Sequence, residues 1–139
     1  MSSTIQIEIV SPEKLLISAT ATAVQLPGKD GILGILPGHA PLITELGIGE
    51  LSYTDGTGNV VRLNTAWGIA EVLSDKVTVL ATVAERAEDI DVKRAQSAKD
   101  RAETRLKSPT PEVDPSRAEK ALQKASSRIS VAGTGGKPE

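Results

Sequence analysis

The only histidine of the chain, His39, stands in the stretch LPGHAPL (36–42), with Gly38 and Ala40 beside it and Pro37 and Pro41 one step further out. An imidazole is the side chain best matched to proton transfer near neutral pH. That chemistry needs a second group, and the nearest titratable residues along the chain are Asp30 and Glu45. There is no cysteine, which excludes disulfides, thiolate nucleophiles and thiolate-bound metals. One histidine cannot build a multi-histidine zinc site within one chain. No G-x-S-x-G marks a serine nucleophile. His39 therefore reads as the tip of a proline- and glycine-shaped loop, able to hydrogen-bond a partner's backbone.

Asp91 and Arg94 form a second set, at i and i+3, with Arg101 and Arg105 further along. One reading is a helix cap with intrahelical ion pairs. The other is an anion or nucleotide site, because guanidinium groups grip phosphate bidentately. Spacing alone favours the cap. The stretch LPGKDGILG (26–34) is rich in glycine, but no G-K-[ST] ends it and no helix follows, so it is not a phosphate-binding loop. It reads as a tight turn with Lys29 and Asp30 at its tip. Lys120, Lys124 and Arg128 recur at i, i+4 and i+8, either a solvated charged face or a partner-facing one. Nucleic acid fits poorly: the net charge is −2 and the only aromatics are Tyr53 and Trp67.

The elements that position these residues fall into two halves. Residues 1–90 carry five basic against eleven acidic side chains, a net of −6, and residues 91–139 carry eleven basic against seven acidic, a net of +4. The first half has the period of β structure. TIQIEIV puts Ile5, Ile7 and Ile9 on one face of a strand. ATATAVQL places Thr20, Thr22, Val24 and Leu26 on one face and alanines on the other. DGTGN (55–59) and SDK (74–76) read as hairpin turns. The expected class is a β-sandwich or flattened barrel of about ten short strands with an aliphatic core.

The second half has helical period. Ala95, Ala98, Ala102 and Leu106 make one stripe, with Asp91 as its cap. Ala118, Leu122, Ala125, Ile129 and Ala132 make another, opened by a capping box at Ser116 and Glu119 and stopped at Gly133. SPTPEVDP (108–115) separates them. The expected organisation is a β-sandwich domain at 1–87, a two-helix hairpin at 88–132 with helices at about 91–107 and 116–132, and a disordered tail at 133–139. Alanine seams bury little apolar area, so the hairpin needs a surface to dock on. No signal peptide and no membrane-length apolar run is visible, so the chain reads as intracellular, without membrane insertion.

Three stretches carry a resemblance: PGKDGILGILPGHAPLIT (27–44), WGIAEVLSDKVTVLA (67–81) and AERAEDIDVKRAQSAKDRAETRL (84–106). In this order the chain resembles the epsilon-subunit family of bacterial F-type ATP synthases, over residues 4–132. The resemblance implies a β-sandwich followed by a helical hairpin. It implies a non-catalytic rotor subunit of the proton-driven enzyme, in the central stalk, packed on the gamma subunit and seated on the c-ring. The location implied is peripheral, at the cytoplasmic face of the bacterial plasma membrane. Lys29, Asp30, Gly31 and Ile32 would contact the c-ring, and His39 and Thr44 the gamma subunit.

The resemblance also implies a hairpin that folds on the sandwich or extends into the catalytic head, where it inhibits ATP hydrolysis. Arg117, Lys120, Lys124 and Arg128 would then meet the alpha and beta subunits transiently. Some members bind regulatory ATP through I/L-D-x-x-R-A, which here reads Ile90, Asp91, Val92, Lys93, Arg94, Ala95. Glu85, Arg101 and Arg128 fall where that pattern expects them. No cofactor is otherwise required. Two departures stand out: Trp67 lies two positions ahead of the usual aromatic, and Ile32 replaces a frequent acid. Two other classes stay open, a stand-alone β-sandwich module that self-associates through its helices and an enzyme using His39.

Overall fold

Ile5, Ile7 and Ile9 are at most 1% exposed, and the strand they define, β1 (Ile5–Val10), holds the sheet together. It pairs antiparallel with β2 (Leu15–Gly28) on one side and parallel with β6 (Lys76–Arg86) on the other. Between them the order runs β6, β5 (Val60–Val72), β4 (Leu42–Asp55), β2, with β3 (Gly31–Ile35) added beyond β2. Because β2 also pairs β1, the sheet closes on itself as a flattened, barrel-like sandwich. The computed structural model describes residues 3–134. The expected tail at 133–139 lies, from residue 135 onward, outside those residues.

Six strands appear where about ten were expected. The difference lies in length: β2, β4 and β5 run 14, 14 and 13 residues, bending where shorter strands would break. In β2 the bend also changes the inward face. Ile17 and Ala21 point into the core up to a register shift between Ala21 and Ala23, after which Val24 and Leu26 do. Thr20 therefore does not share a face with Val24 as the simple alternation predicted. The core is otherwise aliphatic, as a chain without phenylalanine requires: Leu46, Leu51, Leu63, Val72, Val77 and Val79 fill it, with Tyr53 at its margin. Burial at that margin pushes the Tyr53 phenol up, opposed by the nearby Arg86 charge.

The two expected hairpins form. In the first, Asp55 accepts hydrogen bonds from the Thr57 hydroxyl at 2.7 Å, the Thr57 amide at 2.8 Å and the Asn59 amide at 3.0 Å. These donors, the Thr57 hydroxyl foremost, hold the Asp55 carboxyl below the usual carboxylate range. In the second, the Leu73 amide donates to the Lys76 carbonyl at 2.8 Å.

The helices are α1 (Val92–Lys107) and α2 (Pro115–Thr134). Asp91 caps α1 as predicted, accepting from the Arg94 amide at 3.0 Å. For α2 the cap is Asp114, which accepts from the Ser116 and Arg117 amides at 3.0 and 3.3 Å, so Ser116 and Glu119 do not form the expected capping box. Pro115, which has no amide hydrogen to satisfy, fits the first helical position, and this moves the start one residue upstream. Gly133 does not stop the helix, which continues to Thr134.

β5 is kinked at Trp67 and Gly68. Trp67 has φ 54°, a left-handed value for a bulky side chain, and Gly68 has φ 137°. Pairing to β4 and to β6 skips Trp67, yet the register is the same on both sides. A β-carbon at Gly68 would collide with the Leu80 carbonyl, so only glycine lets β5 and β6 approach here. Gly68→Ala should destabilise the chain by about 3 kcal/mol in urea unfolding. Gly56→Ala, where a β-carbon meets nothing within 4 Å, is the control and should be near neutral.

Candidate functional site

The contact between the two halves is made by α2. It lies on β4, β5 and the 3-10 turn Ala87–Asp89, while α1 packs along α2. Ala95 and Ala102 of α1 and Ala118 and Ala125 of α2 are buried. The alanine stripes are thus used largely helix against helix, and the docking face of α2 carries different residues. Val131 is 1% exposed and packs with Ala87 and Ile90, at the base of the hairpin.

The polar part of this contact is a closed network. Arg128 grips Glu85 with both ends of its guanidinium, Nε to Oε1 at 2.7 Å and Nη2 to Oε2 at 3.2 Å. The pair is three-quarters or more buried, its side chains being 24% and 21% exposed. Asn64, 2% exposed on β5, donates from Nδ2 to Glu85 Oε1 at 3.1 Å. The Ser127 hydroxyl donates to Asn64 Oδ1 at 2.6 Å. Among the described residues no buried side-chain nitrogen or oxygen lacks a partner. One helical turn earlier, Lys124 places its ammonium 5.2 Å from the centre of the Trp67 ring, within cation–π range.

The residues singled out beforehand are distributed as follows. Glu85 and Arg128, both expected in a nucleotide set, are paired with each other. Asp91 caps α1, Ala95 is buried and Ile90 is 8% exposed. Arg94 and Arg101 are exposed on α1, and neither has an ion pair among the described residues. Lys29, in the β2–β3 turn, bridges to Glu45 on β4 at 3.1 Å, and that hydrogen bond raises the Lys29 ammonium pKa. Asp30 and Gly31 are exposed beside it, and Ile32 is 71% exposed. His39 is half-buried and its Nδ1 donates to the Ala40 carbonyl at 2.6 Å, and among the described residues no titratable side chain bonds to the ring. The Thr44 hydroxyl donates to the Glu45 carbonyl at 3.3 Å. Arg117 and Lys120 are exposed, whereas Lys124 and Arg128 face the sandwich.

Asn64 and Ser127 were not anticipated. They lie 63 positions apart, and neither belongs to a local pattern. Asn64 follows the core residue Leu63 and so lies on the opposite face of β5, the one that α2 covers.

A strand-rich body carrying a helical hairpin, tied by one polar network, defines a two-part protein that works by contact. The family comparisons agree with that architecture. Residues 4–87 match the family described as ATP synthase, Delta/Epsilon chain, beta-sandwich domain, and residues 88–133 match ATP synthase, Delta/Epsilon chain, long alpha-helix domain. The chain belongs to the ATP synthase delta/epsilon family, whose epsilon chains are non-catalytic subunits of that enzyme.

Similar relatives are named ATP synthase epsilon chain. That of Koribacter versatilis is 61% identical over 112 residues, covering 81% of this chain and 78% of the relative. That of Solibacter usitatus is 45% identical over 132 residues, covering 95% and 98%. Among solved structures, a chain of the Euglena gracilis mitochondrial ATP synthase shares the fold with a TM-score of 0.81 and 22% identity, over 91% of this chain and 79% of that one.

Removing Arg128 would leave Glu85 part-buried without its cation. Arg128→Ala should therefore weaken hairpin docking by about 2 kcal/mol. Tryptic cleavage within α2 should then speed up roughly thirtyfold, with the β core still resistant.

Proposed function

We infer that the chain is a rotor subunit of the central stalk, transmitting c-ring rotation to the catalytic head and regulating ATP hydrolysis through its hairpin. The observation that carries the regulatory half is the docking network itself. Arg128 and Glu85 are charges that a helix moving away would uncover, and the apolar part of the docking face is small, Val131 and Ala132 against Ala87 and Ile90. Burying an alanine methyl stabilises by about 0.8 kcal/mol, against two to three times as much for a leucine. Such a hairpin is well suited to leaving and returning.

In this reading the folded and extended hairpins are two states of one equilibrium. The extended state turns Arg117, Lys120, Lys124 and Arg128 towards acidic surface of the alpha and beta subunits. The proline-rich connection at 108–114 keeps the hairpin as two helical pieces in either state. Regulatory ATP, where it binds, meets Arg94 and Arg101 as its free guanidiniums and favours the folded state only by a higher affinity for it.

Two exposed apolar surfaces support the stalk position. Ile43, Ile69 and Leu80, on adjacent strands β4, β5 and β6, are 71%, 49% and 55% exposed. With Thr44 and His39 nearby in sequence, this face fits the gamma subunit. At the β2–β3 turn, Ile32 and the flanking Lys29, Asp30 and Gly31 fit the c-ring, through an apolar rather than an ionic contact. Together they hold the chain peripherally at the membrane. No helix among the described residues is long and apolar enough to cross one.

Two measurements test the reading. Deleting residues 88–139 from the assembled enzyme should raise ATP hydrolysis or remove its regulation, and unchanged hydrolysis under all nucleotide conditions would sink the inhibitory role. Calorimetry should show Arg94→Ala binding ATP about tenfold more weakly than the wild type. Equal binding by the two would remove Arg94 from the site.

A further inference from the structure

Lys124, Ser127 and Arg128 stand at i, i+3 and i+4, so one turn of α2 presents all three to the sandwich. Their partners are Trp67 and Asn64 on β5 and Glu85 on β6. Asn64 and Glu85 sit directly opposite each other in the β5–β6 ladder, and Asn64 donates to Glu85. The receptor is therefore rigid, built across two paired strands, with the carboxylate orientation set before the helix arrives.

A charge pair alone does not define register. Long basic side chains reach a carboxylate from several positions, and α2 carries cations at Lys120, Lys124 and Arg128. Asn64 is more selective. If α2 slid one turn so that Lys124 met Glu85, Gln123 would stand where Ser127 stands, a donor too, but with a reach two heavy atoms longer than serine's in the tight space at the buried Asn64. If it slid the other way, Val131 would face the amide and leave its buried oxygen without a donor. Only the pairing of Ser127 with Asn64 satisfies the amide while Arg128 meets Glu85. It also keeps Val131 in its pocket against Ala87 and Ile90.

We propose that Asn64 is the register-setting residue of the hairpin dock, recognising the Ser127 hydroxyl, and that this network holds the hairpin closed without a bound nucleotide. Arg128 engages both oxygens of Glu85 and Asn64 adds a third donor, so the carboxylate's charge is compensated here by the protein's own groups. Asn64 acts through Glu85 and Ser127 and is a positioning residue. The proposal deepens the regulatory reading of the hairpin by naming what closes it.

The test is hydrogen exchange on the full chain, with and without saturating magnesium ATP. Without nucleotide, residues 118–131 should already be protected. Ser127→Thr keeps the hydroxyl and should keep that protection. Ser127→Val, with the same shape and no hydroxyl, should exchange about tenfold faster in α2, while β5 and β6 are unchanged. Asn64→Ala should have the same effect, and adding Ser127→Val to it should have no further effect. Equal exchange in the threonine and valine variants would overturn the role of Asn64. Protection of α2 that appears only when ATP is added would overturn closure by the protein's own groups. Hydrolysis unaffected by hairpin deletion would remove the regulatory reading and leave these exchange results standing.

Discussion

The polar contact between the two halves of this chain is centred on the carboxylate of Glu85. It accepts two hydrogen bonds from Arg128 and one from Asn64. Burial makes each of these charge-assisted bonds stronger than it would be in water. The same burial makes the arrangement all-or-nothing. A hairpin shifted by a residue or two would leave a charge and an amide without partners, so intermediate positions are disfavoured.

The helices contribute little of their own to oppose or reinforce that contact. Their shared seam is built from Ala95, Ala102, Ala118 and Ala125, which lets the axes approach closely while removing little apolar surface from water. The sandwich is the opposite case. Its core is a continuous cluster of isoleucine, leucine and valine around a sheet closed by β1, and it does not depend on the hairpin for closure. Stability is therefore unevenly distributed, high in the body and low in the appendage.

Most of this architecture was legible in local patterns. The alternation of Ile5, Ile7 and Ile9 marked a half-buried strand. The turn residues at 55–59 marked a hairpin, and Asp91 marked a helix start. Where local reading failed, a non-local constraint had intervened. The inward face of β2 changes at Ala23 because its pairing with β4 shifts there, which nothing in ATATAVQL announces. Asp114 and Ser116 are both good capping residues, and the choice between them rests on Pro115 accepting a helical position. The resemblance implied Glu85 and Arg128 as nucleotide ligands, and only the fold shows that each is the other's partner. The left-handed backbone of Trp67 is visible in no spacing at all.

That tryptophan has a practical consequence. It is the only one in the chain, it is 38% exposed at a kink that holds its backbone in place, and the ammonium of Lys124 lies over its ring. Indole emission responds to nearby charge and to water. A protein with no other indole therefore carries its own optical gauge of whether the helix is seated, readable in a cuvette without labels, cysteines or added dyes.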